Sequence, residues 1–141
     1  MPLFSGNQSH ASFLQDYWRQ KPFLFRGACS NSLTILRNST SEKELLELAS
    51  QDRVESRLVT PPDYELQLGP FEFDTTPENS LLMIHGLEQH WQEVSHMLID
   101  DFSFLPRWKI DDVMATIGET GATCGPHFDH YDAFSYTHLT P

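Results

Sequence analysis

Apolar residues recur along this chain first at helical spacing and then at strand spacing. Phe13, Leu14, Tyr17 and Trp18 share one face of a 3.6-residue period, and Ser12-Phe13-Leu14-Gln15 has the form of a capping box. That spacing predicts an amphipathic helix, ended by Pro22, after which Phe23-Leu24-Phe25 reads as a short buried strand stopped by Gly27. Ser41-Glu42-Lys43-Glu44 is a second capping box, with Leu45, Leu48 and Ala49 continuing its apolar face. Both helices read as scaffold.

From residue 54 the period becomes two. Val54, Ser56 and Leu58 alternate with Glu55, Arg57 and Val59, and Pro61-Pro62 breaks the run. Tyr64, Leu66 and Leu68 alternate with Glu65 and Gln67; Gly69-Pro70 marks a turn, and Leu81–Ile84 forms another apolar strand. Such repeated short strands predict a sandwich or barrel. A helix is expected over His90–Leu98, with Trp91, Val94 and Leu98 on one face. His85, His90 and His96 read as surface or packing residues rather than ligands.

The chemistry is concentrated in Gly125-Pro126-His127-Phe128-Asp129-His130-Tyr131-Asp132. On a strand, residues i and i+2 face the same way, so the His127 imidazole and the Asp129 carboxylate would converge on one point. Two such donors are part of the 2-His-1-carboxylate set that holds Fe(II) with open positions. An H-x-D alone is a common accident, and its bland reading is a solvated strand. Its surroundings favour the sharper one. Pro126 suits an extended approach, Phe128, Tyr131 and Phe134 suit strands, and Gly118, Gly121 and Gly125 allow a turn from a partner strand at Val113–Ile117.

With 141 residues, 39% hydrophobic, the chain is long enough for one packed domain. Cys29 and Cys124 are too few for a disulfide framework, and the first residues, Met1 to Leu14, lack the pattern of a secretion signal. A cytoplasmic protein is expected. The net charge of −11 is unevenly spread. Residues 1–70 carry 7 Lys/Arg against 8 Asp/Glu, whereas residues 71–141 carry 2 against 12. That acidity disfavours direct nucleic-acid binding and favours a basic partner, although it also serves plain solubility. Acidic pairs at Asp100-Asp101 and Asp111-Asp112 flank the Phe102–Trp108 segment, as caps and loop residues or as a recognition rim.

Four blocks in order resemble a known family: Phe13–Pro22, Asp52–Val59, Leu105–Met114 and Gly125–Asp132. They are similar to the JmjC/cupin ribosomal oxygenases of bacteria, specifically the arginine hydroxylases of large-subunit ribosomal protein number sixteen. The resemblance runs from about Phe13 to Phe134. It implies an α+β chain, mainly β with flanking helices, built on a double-stranded β-helix core that is cut short before the barrel completes. It implies Fe(II) as the metal and 2-oxoglutarate as co-substrate, with His127 and Asp129 as metal ligands and Thr116 lining the co-substrate pocket. It also implies a basic ribosomal protein as substrate, no direct nucleic-acid or membrane partner, and a homodimer for the full-length protein.

The family's second iron-binding histidine and its 2-oxoglutarate anchor lie downstream of the H-x-D motif, past Pro141. The ending Ser135-Tyr136-Thr137-His138-Leu139-Thr140-Pro141 departs from the family's apolar strand and reads as a non-native or frameshifted tail. The expectation is therefore the N-terminal part of one oxygenase domain, inactive by itself. Two rival readings stay open. One is a non-catalytic cupin-like module that binds basic proteins, and the other is a metal-dependent cupin enzyme that does not use 2-oxoglutarate.

Overall fold

The computed structural model describes residues 9–24, 35 and 40–130. Its centre is a four-stranded antiparallel sheet in the order β2-β1-β3-β4. The strands are β1 (Ser56–Thr60), β2 (Glu65–Leu68), β3 (Leu81–Ile84) and β4 (Ala115–Gly118). Helices α1 (His10–Asp16) and α2 (Glu42–Ala49) precede the sheet, and α3 (Leu87–His90) and α4 (Gln92–Asp101) lie between β3 and β4. The described part is thus small and α+β. It contains a sheet of the expected kind, not a closed barrel.

One face of the sheet is dry. Leu58, Leu82 and Ile117 align across β1, β3 and β4, and Ile84 follows on the same face of β3. Leu46, Leu48 and Ala49 of α2 join Leu58, Leu82, Ile84, Val54 and Leu87 in one buried cluster, with Trp91, Val113, Ala115 and Ile117 packed around it. Helix α2 begins as its capping box predicts: the Ser41 hydroxyl accepts from the Glu44 N–H, and the Glu44 carboxylate accepts from the Ser41 N–H at 2.7 Å. Its far end is tied to the sheet through the Ala49 carbonyl, which accepts from Phe71 N–H and from the Ser56 hydroxyl. At Gly69 the chain passes so close to the Ser56 hydroxyl that any side chain would collide with it.

Several expectations need correcting. The first helix is capped one turn early, by Ser9, with Ser12 completing a reciprocal box at N3. A serine there does what the pattern asks of Glu or Gln. Phe23 and Leu24 form no strand, and Leu24 is exposed because its neighbour Phe23 alone turns into a ring cluster with Phe13 and Tyr17. Phe25 lies outside the described residues. The helix expected over His90–Leu98 is interrupted at Trp91, whose backbone is extended, giving α3 and α4. Trp91 packs on the core, while the side chains of Val94 and Leu98 lie outside the described set.

On β2 the expected alternation puts Leu66 and Leu68 on one side, and they are 53% and 71% exposed. The register shows why. Leu68, Arg57, Met83 and Thr116 form one row across the four strands, on the face opposite the helices. No described element covers that face at β2, so the alternation is present and its apolar side is open. Nor does β4 pair with the H-x-D segment: it pairs with β3, and Leu81 stands opposite Gly118.

Candidate metal centre

After β4 the chain turns at Gly121 and runs irregularly through residues 122–130. His127 and Asp129 therefore do not lie on a hydrogen-bonded strand as expected, although their side chains still converge. His127 Nε2 stands 3.7 Å from Asp129 Oδ2, and both side chains are about half exposed. Phe128 between them points away and is 81% exposed, in edge contact with the His130 ring. The two side chains meet without the hydrogen-bonded ladder of a strand.

The segment is held from its start. Gly125 has φ +77°, and a Cβ there would come within 2.7 Å of the Tyr64 ring. Only glycine lets the backbone turn in the left-handed region while resting on that ring. Tyr64 in turn lies in the β1–β2 connection, itself at φ 54°. The H-x-D segment is thus seated against the hairpin turn.

The His127 ring is oriented by what its other nitrogen touches. Nδ1 lies 2.9 Å from the Gly125 carbonyl and 3.4 Å from Cys124 Sγ. A carbonyl only accepts, so the contact requires Nδ1–H, and the neutral ring then carries its lone pair on Nε2. That lone pair faces a carboxylate oxygen. Two acceptors aimed at one gap are reconciled by a cation or a proton between them. Ligand bonds of about 2.0–2.2 Å at right angles put neighbouring donors roughly 3 Å apart. The observed 3.7 Å is wider but still within a shared coordination sphere. The pair fits a divalent metal as two of its ligands. Among the described residues no group of three His, Cys, Asp or Glu side chains gathers to hold a metal.

Thr116 sits on β4 opposite Met83, exposed on the uncovered face, and its hydroxyl has no partner among the described residues. It is placed to line whatever occupies that face. His85 is tied into the fold: its Nδ1 lies 3.0 Å from Asp112 Oδ2, the oxygen that also accepts from the Gly86 N–H at 3.2 Å. Val113 N–H donates to Glu88 Oε2, and Leu87 N–H to the Val113 carbonyl, completing a clamp between the end of β3 and the approach to β4. The second acidic pair is thus partly a structural tie. No sequence motif announced it, since its partners lie 25 to 27 residues apart. Asp100 and Asp101 belong to the last turn of α4, and the expected tail at 135–141 lies outside the described residues.

Comparisons with known proteins agree with this picture. No family model matches the chain. It is 32% identical over 128 residues to the probable ribosomal oxygenase of Haemophilus influenzae, covering 86% of this chain and 30% of that protein. It is 34% identical over 125 residues to the ribosomal protein uL16 3-hydroxylase of Escherichia coli, covering 86% of this chain and 32% of that one. Among solved structures it resembles YcfD, a ribosomal oxygenase from Escherichia coli, in complex with cobalt and 2-oxoglutarate. That match has a TM-score of 0.57 and 32% identity over 78% of this chain and 30% of the other. A further structure of YcfD, in complex with cobalt and succinic acid, matches at TM-score 0.58 and 33% identity over the same shares of the two chains. The chain spans about a third of the length of these relatives. By sequence and by fold the 141 residues are similar to about a third of the length of the bacterial ribosomal oxygenases.

Proposed function

We propose that this chain supplies part of the metal site of an Fe(II)- and 2-oxoglutarate-dependent oxygenase that hydroxylates an arginine side chain of a basic ribosomal protein in the cytoplasm. The observation that carries the reading is the pairing of His127 Nε2 with Asp129 Oδ2 across 3.7 Å, with Nδ1 engaged elsewhere. Relatives whose structures hold cobalt with 2-oxoglutarate or succinic acid supply the choice of chemistry.

In this reading His127 and Asp129 are the two protein ligands drawn from this stretch. The bound iron and co-substrate supply the oxidising chemistry. The chain's own residues hold and orient. Gly125 and Tyr64 set the loop, the Gly125 carbonyl fixes the His127 tautomer, and Thr116 offers a hydroxyl on the open face. Among the described residues these two ligands leave the metal under-coordinated, so on this reading the 141 residues by themselves are expected to bind metal weakly and not to hydroxylate.

Cobalt uptake, followed by its visible absorption, tests the site. Binding should be weak and should vanish in both His127→Ala and Asp129→Ala. Binding that survives either change would sink the assignment. Incubation with Fe(II), ascorbate, 2-oxoglutarate and a basic ribosomal peptide should add no oxygen detectable by mass. A gain that depended on His127 would show that the 141 residues hold a complete site. The acidic module without catalysis remains the second reading, favoured by the charge split, and a metal-independent grip on basic peptides would support it.

A further inference from the structure

Among the described residues no strand pairs with the outer edge of β2, and the character of that edge specifies a ligand. Gly69 N–H donates to the Ser56 carbonyl, one step beyond the Arg57–Leu68 pair. Hydrogen-bonded and non-bonded pairs alternate in an antiparallel ladder. Gln67 and Glu65 therefore also turn their backbone groups toward β1, and Leu66 and Leu68 turn theirs outward. The other side of β1 agrees: His85 N–H donates to the Glu55 carbonyl, which puts the odd-numbered residues of β1 on the β3 side. The N–H and C=O groups that no described strand pairs thus belong to the two most exposed leucines of the sheet, Leu66 and Leu68. The strand carries neither Lys nor Pro, the usual guards of an edge.

Charge narrows the occupant. From Leu58 to Pro106 the chain has nine Asp and Glu residues and no Lys or Arg. Asp63 and Glu65 at one end of β2, and Glu72 and Asp74 just past the other, are all exposed. A second copy of this edge would bring like charge against like. A basic chain would not. Position adds a third observation: Tyr64, which leads directly into β2, carries Gly125 and with it the His127–Asp129 segment.

We propose that the free edge of β2 docks an extended, Lys/Arg-rich stretch of a protein substrate as an added strand, with backbone bonds to Leu66 and Leu68. The strand so added leaves the edge at Tyr64, beside the candidate metal centre. Main-chain pairing supplies the grip, alternate apolar side chains rest on Leu66 and Leu68, and the carboxylates select for positive charge. The identity of the occupant as a substrate rests on the proposed oxygenase function; the docking itself does not.

The test uses the isotope-labelled 141-residue chain and three synthetic ten-residue peptides: alternating Lys/Val, alternating Glu/Val, and Lys/Val with alternate backbone N-methyl groups. The Lys/Val peptide should shift the Leu66 and Leu68 amide resonances and slow their exchange, and its binding should weaken with salt. N-methylation should cost at least about tenfold in affinity, as should Leu66→Pro, which removes an N–H that β1 does not use. If Leu66→Pro fails to fold, the N-methyl peptide still decides the matter. Equal binding of the Glu/Val peptide would overturn the proposal, as would binding that leaves Leu66 and Leu68 undisturbed. So would edge protection that rises with protein concentration in the absence of peptide, the mark of a second copy. His127→Ala should leave docking intact. Docking without metal uptake would therefore keep this inference and remove the oxygenase reading, and metal uptake without docking would do the reverse.

Discussion

His127 and Asp129 converge without a ladder because the residues before them do the holding. Gly125 is the critical one, since alanine there meets two obstacles, a φ of +77° and a Tyr64 ring atom 2.7 Å from the new Cβ. Gly125→Ala is expected to cost about 1–3 kcal/mol in the order of this segment and to weaken cobalt uptake. Tyr64→Ala in the same chain should relieve the clash but not the strain, giving partial recovery of cobalt binding. Full recovery would mean that the backbone angle is unimportant. The pair itself was legible because i and i+2 face the same way on any extended backbone. The reliance on Tyr64 was not legible, because nothing local links residues 61 apart along the chain.

Individual elements were legible where their signal was local. The Ser41–Glu44 box and the Leu81–Ile84 strand lie where the pattern puts them, whereas the open face of β2 depends on what lies opposite, which alternation cannot say. The α2 cap makes a pH prediction. Hydrogen bonds from the Ser41 N–H, and next from its hydroxyl, hold the Glu44 carboxyl below the usual Glu range. A lowered folded value means that the cap's contribution is present above the ordinary Glu range and is lost as pH falls through the lowered one. Helicity measured against pH should show this acid limb, and Glu44→Gln should flatten it. The β3–β4 clamp makes another. Asp112→Ala leaves His85 and the Gly86 N–H without their acceptor, at about 1–3 kcal/mol, read as a lower urea midpoint. An unchanged midpoint would show that water replaces the carboxylate freely.

At the scale of the molecule the sheet is packed on one face and open on much of the other, and that asymmetry sets how stability is distributed. Leu82 and Ile84 are fully buried between β1, β4 and the helices, whereas Leu66 and Leu68 project into solvent from the edge. None of the described helices is long and apolar enough to cross a membrane. Truncating Leu82 removes contacts on every side, and a buried Leu→Ala change costs about 2–5 kcal/mol. Domains of this size hold about 5–15 kcal/mol in total, so Leu82→Ala should leave a large fraction unfolded at modest urea concentration. Leu66→Ala removes a side chain already half in water and should move the urea midpoint little. The two variants together measure the one-sidedness directly, with circular dichroism following the unfolding. If Leu66→Ala proves as damaging as Leu82→Ala, the outer face is covered in solution. The β2 edge would then be a buried interface, with no room for a basic strand.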